Sequence, residues 1–271
     1  MSLGIIIKGT EGIVLAAESR VTLSSQQKLP DGKETTIHVN FDNATKLLSF
    51  NGKNSHIGGV TYGNAAIGYR TAHSFISEFE TGLSSEDELT VEAFAKQLSD
   101  FFLKQWDEAG MPKAEAYNGQ NMTFLIAGYD KGEPYGRIYK FDIPKSPKVV
   151  EQNAGKNNFG ISWGGQREIV DRLLMGYDPR LLDVLVKTNL MKGSDVQKAR
   201  EALKQLQLAL PIQFMPLQDC INLAILFIRT TISTQSLTVG LRGCGGDIDV
   251  AIITRNHALS FIQKKEIIAE N

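Results

Sequence analysis

Residue 2 of the chain is a serine that is placed to become an amino-terminal nucleophile. Ser2 follows Met1, and aminopeptidases remove an initiator methionine when the next side chain is small. The processed chain would then begin with a serine that carries a free α-amino group. A serine hydroxyl needs a base to accept its proton, and an α-amine has an ordinary pKa of about 7.7–8.0. One residue would therefore supply both nucleophile and base; the alternative is an ordinary processed terminus without chemistry.

Short apolar runs follow Ser2 at once and predict the strands that would hold it. Residues 3–8 and 12–17 are rich in Ile, Val and Leu, and the turn Gly9-Thr10-Glu11 separates them. This pattern is typical of a β-hairpin with largely buried strands. Residues 24–43 are polar and contain the turn signal Pro30-Asp31-Gly32, which predicts a long loop or a protruding hairpin.

Further along, the apolar spacing alternates between strand and helix periods. Strands are predicted at 46–50, 56–62, 121–129, 136–143, 147–150, 249–254 and 259–262, and helices at 65–79, from Thr90 onward, and at 166–175, 195–208 and 217–233. Two blocks of strands, each followed by helices, indicate two stacked sheets with helices outside both. Because no linker or repeat divides the sequence, we expect one domain over residues 1–271.

Composition excludes several function classes. The 271 residues are 42% hydrophobic, and the net charge of −1 gives no overall field to attract nucleic acid or an anionic membrane. Cys220 and Cys244 are too few for a disulfide framework and predict reduced thiols. The four histidines lack ligand spacing, so we expect no metal and no cofactor. The start of the sequence has no secretory signal pattern, and we expect a cytoplasmic protein.

Two stretches carry a resemblance to a known family. Gly12-Ile-Val-Leu-Ala-Ala-Glu-Ser-Arg-Val-Thr22 resembles the second-strand signature of proteasome-type subunits, and residues 246–254 resemble their late strand. The likeness is to β-type subunits, in particular bacterial proteasome β-subunits and HslV-like peptidases, since α-type subunits carry a helix ahead of the first strand. It implies the fold of N-terminal nucleophile hydrolases, an α+β four-layer αββα sandwich.

The resemblance also implies catalytic residues. Counting back without gaps from Glu18, the strand-end carboxylate of the family, the catalytic threonine falls on Ser2. Lys46, which opens the third strand, matches the lysine that pairs with this carboxylate, and residues 24–43 then form an insertion. Lys33 is a rival, but no apolar strand follows it. An ammonium at this place would lower the pKa of the α-amine and favour the alkoxide.

Supporting residues match less well. Residues 56–63 resemble the glycine-containing turn whose backbone N–H forms the oxyanion hole, which implies Gly59, or alternatively Gly58. A supporting serine is expected where this chain has Gly164, unless Ser162 replaces it after a shift in alignment.

The family also has an acidic residue, two variable positions and Ser-Gly before the last strand pair. If that glycine is Gly245, the acidic and serine positions hold Leu241 and Cys244. If it is Gly240, they hold Ser236 and Val239. Neither alignment supplies the carboxylate.

The sequence thus predicts an endopeptidase in which Ser2 attacks a peptide carbonyl. The resemblance implies peptides or unfolded proteins as substrates, a homo-oligomeric ring or related assembly, and an ATPase or regulatory cap; nucleic acid and membranes are not expected partners. Two alternatives to the endopeptidase stay open. The first is an inactive subunit that serves in assembly, which the missing supporting residues favour. The second is an amidase for a small non-peptide substrate.

Overall fold

The computed structural model describes residues 2–28, 32, 34–83, 88–155, 158–240 and 242–269. Among them run fourteen β-strands and six α-helices in several antiparallel sheets, which confirms the α+β class. Predictions that fell on Met1, Pro30, Asp31, Lys33 and Leu241 lie outside the described residues.

The strands, in chain order, are β1 (Leu3–Lys8), β2 (Ile13–Glu18), β3 (Val21–Lys28), β4 (Glu34–Phe41), β5 (Leu47–Ser49), β6 (Ile57–Gly63), β7 (Ala66–Ile67), β8 (Arg70–Thr71), β9 (Met122–Gly128), β10 (Arg137–Ile143), β11 (Ser146–Gln152), β12 (Gly160–Gly165), β13 (Ile248–Thr254) and β14 (His257–Gln263). The helices are α1 (Ile76–Gly82), α2 (Val91–Glu108), α3 (Glu168–Met175), α4 (Leu181–Lys187), α5 (Val196–Leu203) and α6 (Leu217–Leu237). No helix in the described ranges is long and apolar enough to cross a membrane.

Two five-stranded antiparallel sheets dominate the structure. The first has the strand order β12-β1-β2-β13-β14 and the second has the order β11-β10-β9-β6-β5. The tight turn between β1 and β2, closed by the Gly9 N–H on the Gly12 carbonyl at 2.9 Å, sets a register in which Gly4 pairs with Ala17. The start of β1 therefore lies beside the end of β2, so Ser2 comes close to Glu18.

Three apolar clusters show why the strand sequences are continuously hydrophobic. One cluster joins the facing sides of the two sheets, with Ile6 and Leu15 from the first sheet and Val60 from the second. The outer side of the second sheet shares a cluster with α1 and α2, and the outer side of the first shares one with α3 and α6. A strand buried on both sides needs apolar residues at every position rather than at alternate ones.

Within segment 24–43, the described residues up to Phe41 lie in a hairpin, β3–β4, that begins already at Val21. The two strands pair with each other and with neither five-stranded sheet, in a register that places Leu23 opposite Val39.

One helix prediction needs correction. The segment 65–79 is not a single helix, because its first part forms the short hairpin β7–β8, and α1 begins only at Ile76. The side chain of Asn64 donates to the carbonyl of Ala66 at 2.7 Å and supports this hairpin. The helix predicted from Thr90 onward is α2, and Thr90 is its N-cap, since the Thr90 hydroxyl accepts the Ala93 N–H.

Candidate active site

Ser2 is fixed by its backbone at the end of the first sheet where the interior strand β1 begins. It directly precedes β1 and is only 5% exposed. Its carbonyl oxygen accepts the Gln166 N–H at 2.6 Å, and the next amide, Leu3 N–H, donates to Glu18 Oε1 at 3.2 Å. Both polar atoms of the Ser2–Leu3 peptide group are therefore held, which limits where the Ser2 hydroxyl can go.

Gly165 makes this anchoring possible. It ends β12 opposite Leu3 with φ +94°, a backbone conformation that favours glycine. A Cβ at this position would stand 1.8 Å from the Ser2 carbonyl oxygen. Only a glycine allows β12 to approach the terminus so closely.

The Glu18 carboxylate is the centre of the site and accepts from four donors. Oε1 receives Lys46 Nζ and Leu3 N–H, while Oε2 receives the backbone N–H groups of Arg20 at 2.7 Å and Gly245 at 3.0 Å. The side chain is fully buried. A carboxylate with this many donors is held in one orientation.

Lys46 is the buried partner of Glu18. Its ammonium also donates to the Arg20 carbonyl, and its own carbonyl accepts the Thr61 N–H at 2.9 Å. Burial lowers the pKa of Lys46, and the Glu18 carboxylate opposes that shift. The ion pair thus keeps a positive charge inside the protein next to the amino-terminal strand.

Ser2 and Lys46 line one small pocket. Its volume of about 20 Å³ is enough for a single water molecule. Three other parts of the chain also line this pocket: the base of the β3–β4 hairpin, the residues before β5, and the end of β6 with the residues that follow β6. They include Val21, Thr45, Thr61, Tyr62, Asn64 and Ala65. A single water molecule is enough to relay a proton between an α-amine and a neighbouring hydroxyl.

The structure selects Gly245 over Gly240 as the glycine beside Glu18. The Gly245 N–H bonds to the carboxylate, and a Cβ there would lie 2.4 Å from the Arg20 guanidinium carbon. Ser236, the alternative serine position, is exposed and donates to the Ser233 carbonyl at 2.8 Å.

Cys244 therefore occupies the place that the resemblance gives to a supporting serine. It is buried, and its N–H donates to Gln235 Oε1 at 2.9 Å. Burial, and next the negative charge of Glu18, raise the pKa of its thiol. The site thus contains a neutral thiol where a hydroxyl was expected.

Gly164 does not mark a missing serine next to Ser2. It pairs with Gly4 across β12 and β1, and a Cβ at this position would meet the Tyr62 hydroxyl oxygen at 2.2 Å. The ring of Tyr62 fills the space, and burial raises the pKa of its phenol. Ser162 is no substitute, because it pairs with Ile6 in the middle of the strand and accepts from Asn153.

The turn predicted at Gly58 and Gly59 is wrong. Both glycines lie inside β6, where β5 and β9 flank them. A Cβ on Gly58 would meet Leu259, and one on Gly59 would meet Ile126, so neither faces Ser2. The strand instead ends at Gly63, with φ +90°, and the residues around this end line the Ser2 pocket.

An ion pair closes the neck of the β3–β4 hairpin beside the site. Arg20 precedes β3, Asp42 follows β4, and the guanidinium donates to both carboxylate oxygens at 2.6 and 2.7 Å. The hydrogen bond from Arg20 lowers the pKa of Asp42. Arg20 also reaches the Cys244 carbonyl at 3.4 Å, so the hairpin base and the Gly245 turn are joined through one side chain.

Sequence reasoning missed three contributors to the site, namely Tyr62, Gly165 and Asp42. The adjacent glycines 164 and 165 carried a signal, since paired glycines in a strand indicate close approach of another backbone or ring. Nothing local marked Asp42 as the partner of Arg20. In the described part of the chain, no group of three His, Cys, Asp or Glu side chains is arranged to hold a metal ion.

Comparisons with known proteins show the fold alone. No family model matches the sequence, and no curated protein matches it. A solved structure of the Gly-1 mutant of Anbu from Hyphomicrobium sp. strain MC1, a proteasome-like subunit, is similar in fold, with a TM-score of 0.55 and 14% identity over 100% of this chain and 89% of that chain.

The assignment to the bacterial proteasome β-subunit and HslV-like branch is therefore wrong, because no family model supports it and the likeness in structure is to Anbu. The signature at residues 12–22 misled for a physical reason. Charged residues belong where a buried strand leaves the apolar core, because burying them inside it is costly. A buried strand that ends in a charged pair therefore does not specify one family.

Proposed function

We propose that the protein is an endopeptidase whose nucleophile is the Ser2 hydroxyl after removal of Met1. One observation carries the proposal: the buried Glu18 carboxylate binds both the Lys46 ammonium and the N–H that directly follows Ser2. A fixed charge pair, a fixed backbone and a hydroxyl residue thus meet at one pocket.

The reaction uses groups of the chain together with water. The Ser2 hydroxyl oxygen attacks the peptide carbonyl while its proton passes to the α-amine, directly or through one water. The carbon–nitrogen bond then breaks, and the proton moves to the departing amine, which leaves an acyl ester on Ser2. Water attacks the ester, with the α-amine again accepting the proton, and releases the carboxylic acid and the free hydroxyl.

Lys46 would act through its charge. A cation beside the terminus lowers the pKa of the α-amine by repulsion, so more of that amine is neutral and able to accept a proton. The same charge stabilises the developing alkoxide. For the oxyanion, we place the donor in segment 62–65, which lines the Ser2 pocket, and no longer at Gly58 or Gly59.

We infer further that the chain forms one domain with the layer order helices, sheet, sheet, helices. The three apolar clusters support this order. Peptides or unfolded proteins as substrates, self-association into a ring or related assembly, an ATPase or regulatory cap and a cytoplasmic location belong to the same proposal.

The test is covalent labelling of the purified protein. A β-lactone or epoxyketone probe should add one probe mass to the wild type and to Ser77→Ala, a control at an exposed serine of α1. Ser2→Ala should gain none. Intact mass also reports whether Met1 is removed, and a retained Met1 or a processed wild type without adduct contradicts the proposal.

A second candidate is an inactive subunit, favoured by Cys244 at a position where the resemblance implies a supporting serine. It predicts a processed chain with a free Ser2 amine but with neither adduct nor peptide turnover. A small-substrate amidase, favoured by the 20 Å³ pocket, predicts the Ser2 adduct and turnover of small amides without cleavage of peptides.

A further inference from the structure

A second buried ion pair lies at the Ser2 end of the first sheet. Asp249 in β13 is paired with Lys265, which follows β14, and their side chains are only 4% and 9% exposed. Both carboxylate oxygens are used: Oδ1 accepts the backbone N–H of Lys265 at 2.9 Å, and Oδ2 accepts its ammonium. Residues 264–269, which we call the C-terminal segment, have no regular secondary structure. Asp249 therefore provides a fixed anchor for this segment.

Strand pairing places Asp249 beside the end of β2 that carries Glu18. Asp249 lies opposite Ala17, one residue before Glu18. Ala17 belongs to the apolar cluster between the two sheets, and so does Ala251, two residues after Asp249. Because alternate residues of a strand share a face, Asp249 points toward the second sheet. There β5, which Lys46 directly precedes, packs against both β2 and β13.

The charge of Lys265 reaches two groups around the Ser2 pocket. Burial lowers the pKa of Lys46, and the positive charge of Lys265 adds to that lowering. Burial also lowers the pKa of His73, and the lysines of the C-terminal segment add to that shift. His73 follows Ala72, which lines the pocket. The C-terminal segment therefore lies close enough to affect the charges at the site.

Stability alone does not explain a carboxylate at position 249. A buried ion pair contributes little net stability relative to well-packed apolar residues, whereas the loss of one partner is costly. The next two residues on the same face of β13, Ala251 and Ile253, are apolar. A charged residue at this place points to an electrostatic role beside the Glu18–Lys46 pair.

We propose that Lys265 is a positioning residue for the reaction of Ser2, because its ion pair with Asp249 cancels a buried negative charge that would otherwise oppose the Lys46 cation at the α-amine. The inference rests on the proposed peptidase function and adds a residue that acts through the α-amine. An uncompensated Asp249 carboxylate would raise the pKa of that amine, and an uncompensated Lys265 ammonium would lower it. The intact pair leaves the local charge balanced.

Other charged and titratable groups also face the site, but their charges are balanced, absent or screened. Three ion pairs surround it, namely Glu18–Lys46, Arg20–Asp42 and Arg167–Asp171. Burial raises the pKa of the Cys244 thiol and of the Tyr62 phenol, which keeps both neutral. The pKa of His73 lies below its usual 6.5, so its ring is neutral at about pH 7–8. Lys264 is exposed to water, which screens its charge.

The test is the pH dependence of Ser2 labelling by a β-lactone probe, measured as the rate of adduct formation by intact mass. Labelling needs the neutral α-amine, so the midpoint of the rate follows the pKa of that amine. Asp249→Asn leaves Lys265 uncompensated and should move the midpoint down by about one pH unit. Lys265→Met leaves Asp249 uncompensated and should move the midpoint up by a similar amount. The double variant should return to the wild-type midpoint, because both charges are gone.

Two further variants separate charge from contact. Lys264→Met removes the same charge from the neighbouring exposed residue and should keep the wild-type midpoint. Lys265→Arg keeps the charge and should also keep it. If Lys265→Met does not fold, Asp249→Asn and the double variant carry the test. Midpoints of the single variants that equal the wild-type value, or that move in the same direction, overturn the inference.

A second measurement needs no catalysis. Acetylation of the Ser2 α-amine by a trace of acetic anhydride depends on the same neutral amine and is read by mass on the amino-terminal peptide. The acetylation midpoint should shift in the variants as the labelling midpoint does. A wild type that labels, with one acetylation midpoint shared by every variant, contradicts the role of Lys265 alone. A processed chain that shows the opposite shifts but never forms an adduct contradicts the peptidase alone.

Discussion

The two ends of β1 hold two buried lysines in opposite circumstances. At the Ser2 end, Lys46 is paired with the Glu18 carboxylate. At the other end, Lys8 closes the strand at 1% exposure, and its ammonium donates to the Gly155 carbonyl at 3.2 Å. Within the described residues, no carboxylate lies within 4.0 Å of Lys8. Burial lowers the pKa of both lysines, although only one has a direct counter-charge.

The carboxylates near Lys8 are engaged elsewhere. Arg137 binds both oxygens of Glu151 at 3.0 Å and reaches Asp130 at 3.4 Å. Lys8 faces a pocket of about 200 Å³ instead, a volume that holds several water molecules. The pocket beside Lys46 is far smaller, at about 20 Å³, and holds one.

This difference indicates which end of β1 is suited to catalysis. An ammonium that is held by one carbonyl acceptor beside a larger cavity is less rigidly placed, so the direction of its field is less well defined. An ammonium that is paired with a buried carboxylate, itself held by backbone donors, has a fixed position. Its electrostatic field on neighbouring groups is therefore preorganised. Only the Ser2 end combines that arrangement with a hydroxyl residue.

The largest expected effect separates the two ends by removing a carboxylate from each. Glu18→Gln leaves the buried Lys46 ammonium without its counter-charge, and we expect a loss of about 3–5 kcal/mol in the free energy of unfolding. Urea denaturation measures it. The matched change at the Lys8 end, Glu151→Gln, should lose about 1 kcal/mol or less, because its ion pair with Arg137 is partly exposed. Equal losses at the two sites would contradict the contrast between the two ends.

A smaller effect is expected from two glycines of one strand, β12. Gly165→Ala forces a side chain into a positive-φ conformation against the Ser2 carbonyl, and we expect it to lose at least about 2 kcal/mol in the free energy of unfolding and to abolish Ser2 labelling. Gly160→Ala, opposite Lys8, would meet only the side chain of Asn153 at 3.3 Å and should lose less than about 1 kcal/mol. Thermal unfolding of both variants ranks them; a tolerated alanine at 165 would show that the close approach to Ser2 is dispensable.

The predicted β1–β2 hairpin accounts for the meeting of Ser2 with Glu18, although the family resemblance singled out both residues. A short turn after a buried strand sets the β1–β2 register, so residues at the two open ends come together. Lys46 was likewise implied by the resemblance, as the lysine that opens the third strand. Its contact with Glu18 joins the first sheet to the residue before β5 of the second.

What the sequence could not supply depends on contacts between distant segments. Gly58 and Gly59 looked like a turn because glycines interrupt an apolar run, and only the pairing of β6 with both β5 and β9 shows that they are strand interior. The approach of Gly165 to Ser2 needs the pairing of β12 with β1, and the Tyr62 ring over Gly164 needs a residue of the second sheet to contact β12 of the first. No periodicity encodes such distances.

The smallest effect concerns Lys8 itself and depends on pH. Because the pKa of Lys8 is lowered in the folded protein below its unfolded value of 10.5, the unfolded chain binds more protons between those two values, and wild-type stability rises with pH there. Lys8→Met removes the buried ammonium and lacks this rise. Relative to wild type, it should therefore gain up to about 1 kcal/mol near neutral pH, and the gain should shrink as pH approaches 10.5. Lys148→Met, at an exposed lysine of β11, should show no such trend in urea denaturation. A difference between wild type and Lys8→Met that stays constant with pH would mean that water in the larger pocket already solvates Lys8 fully, and the two ends of β1 would then differ even more than their partners indicate.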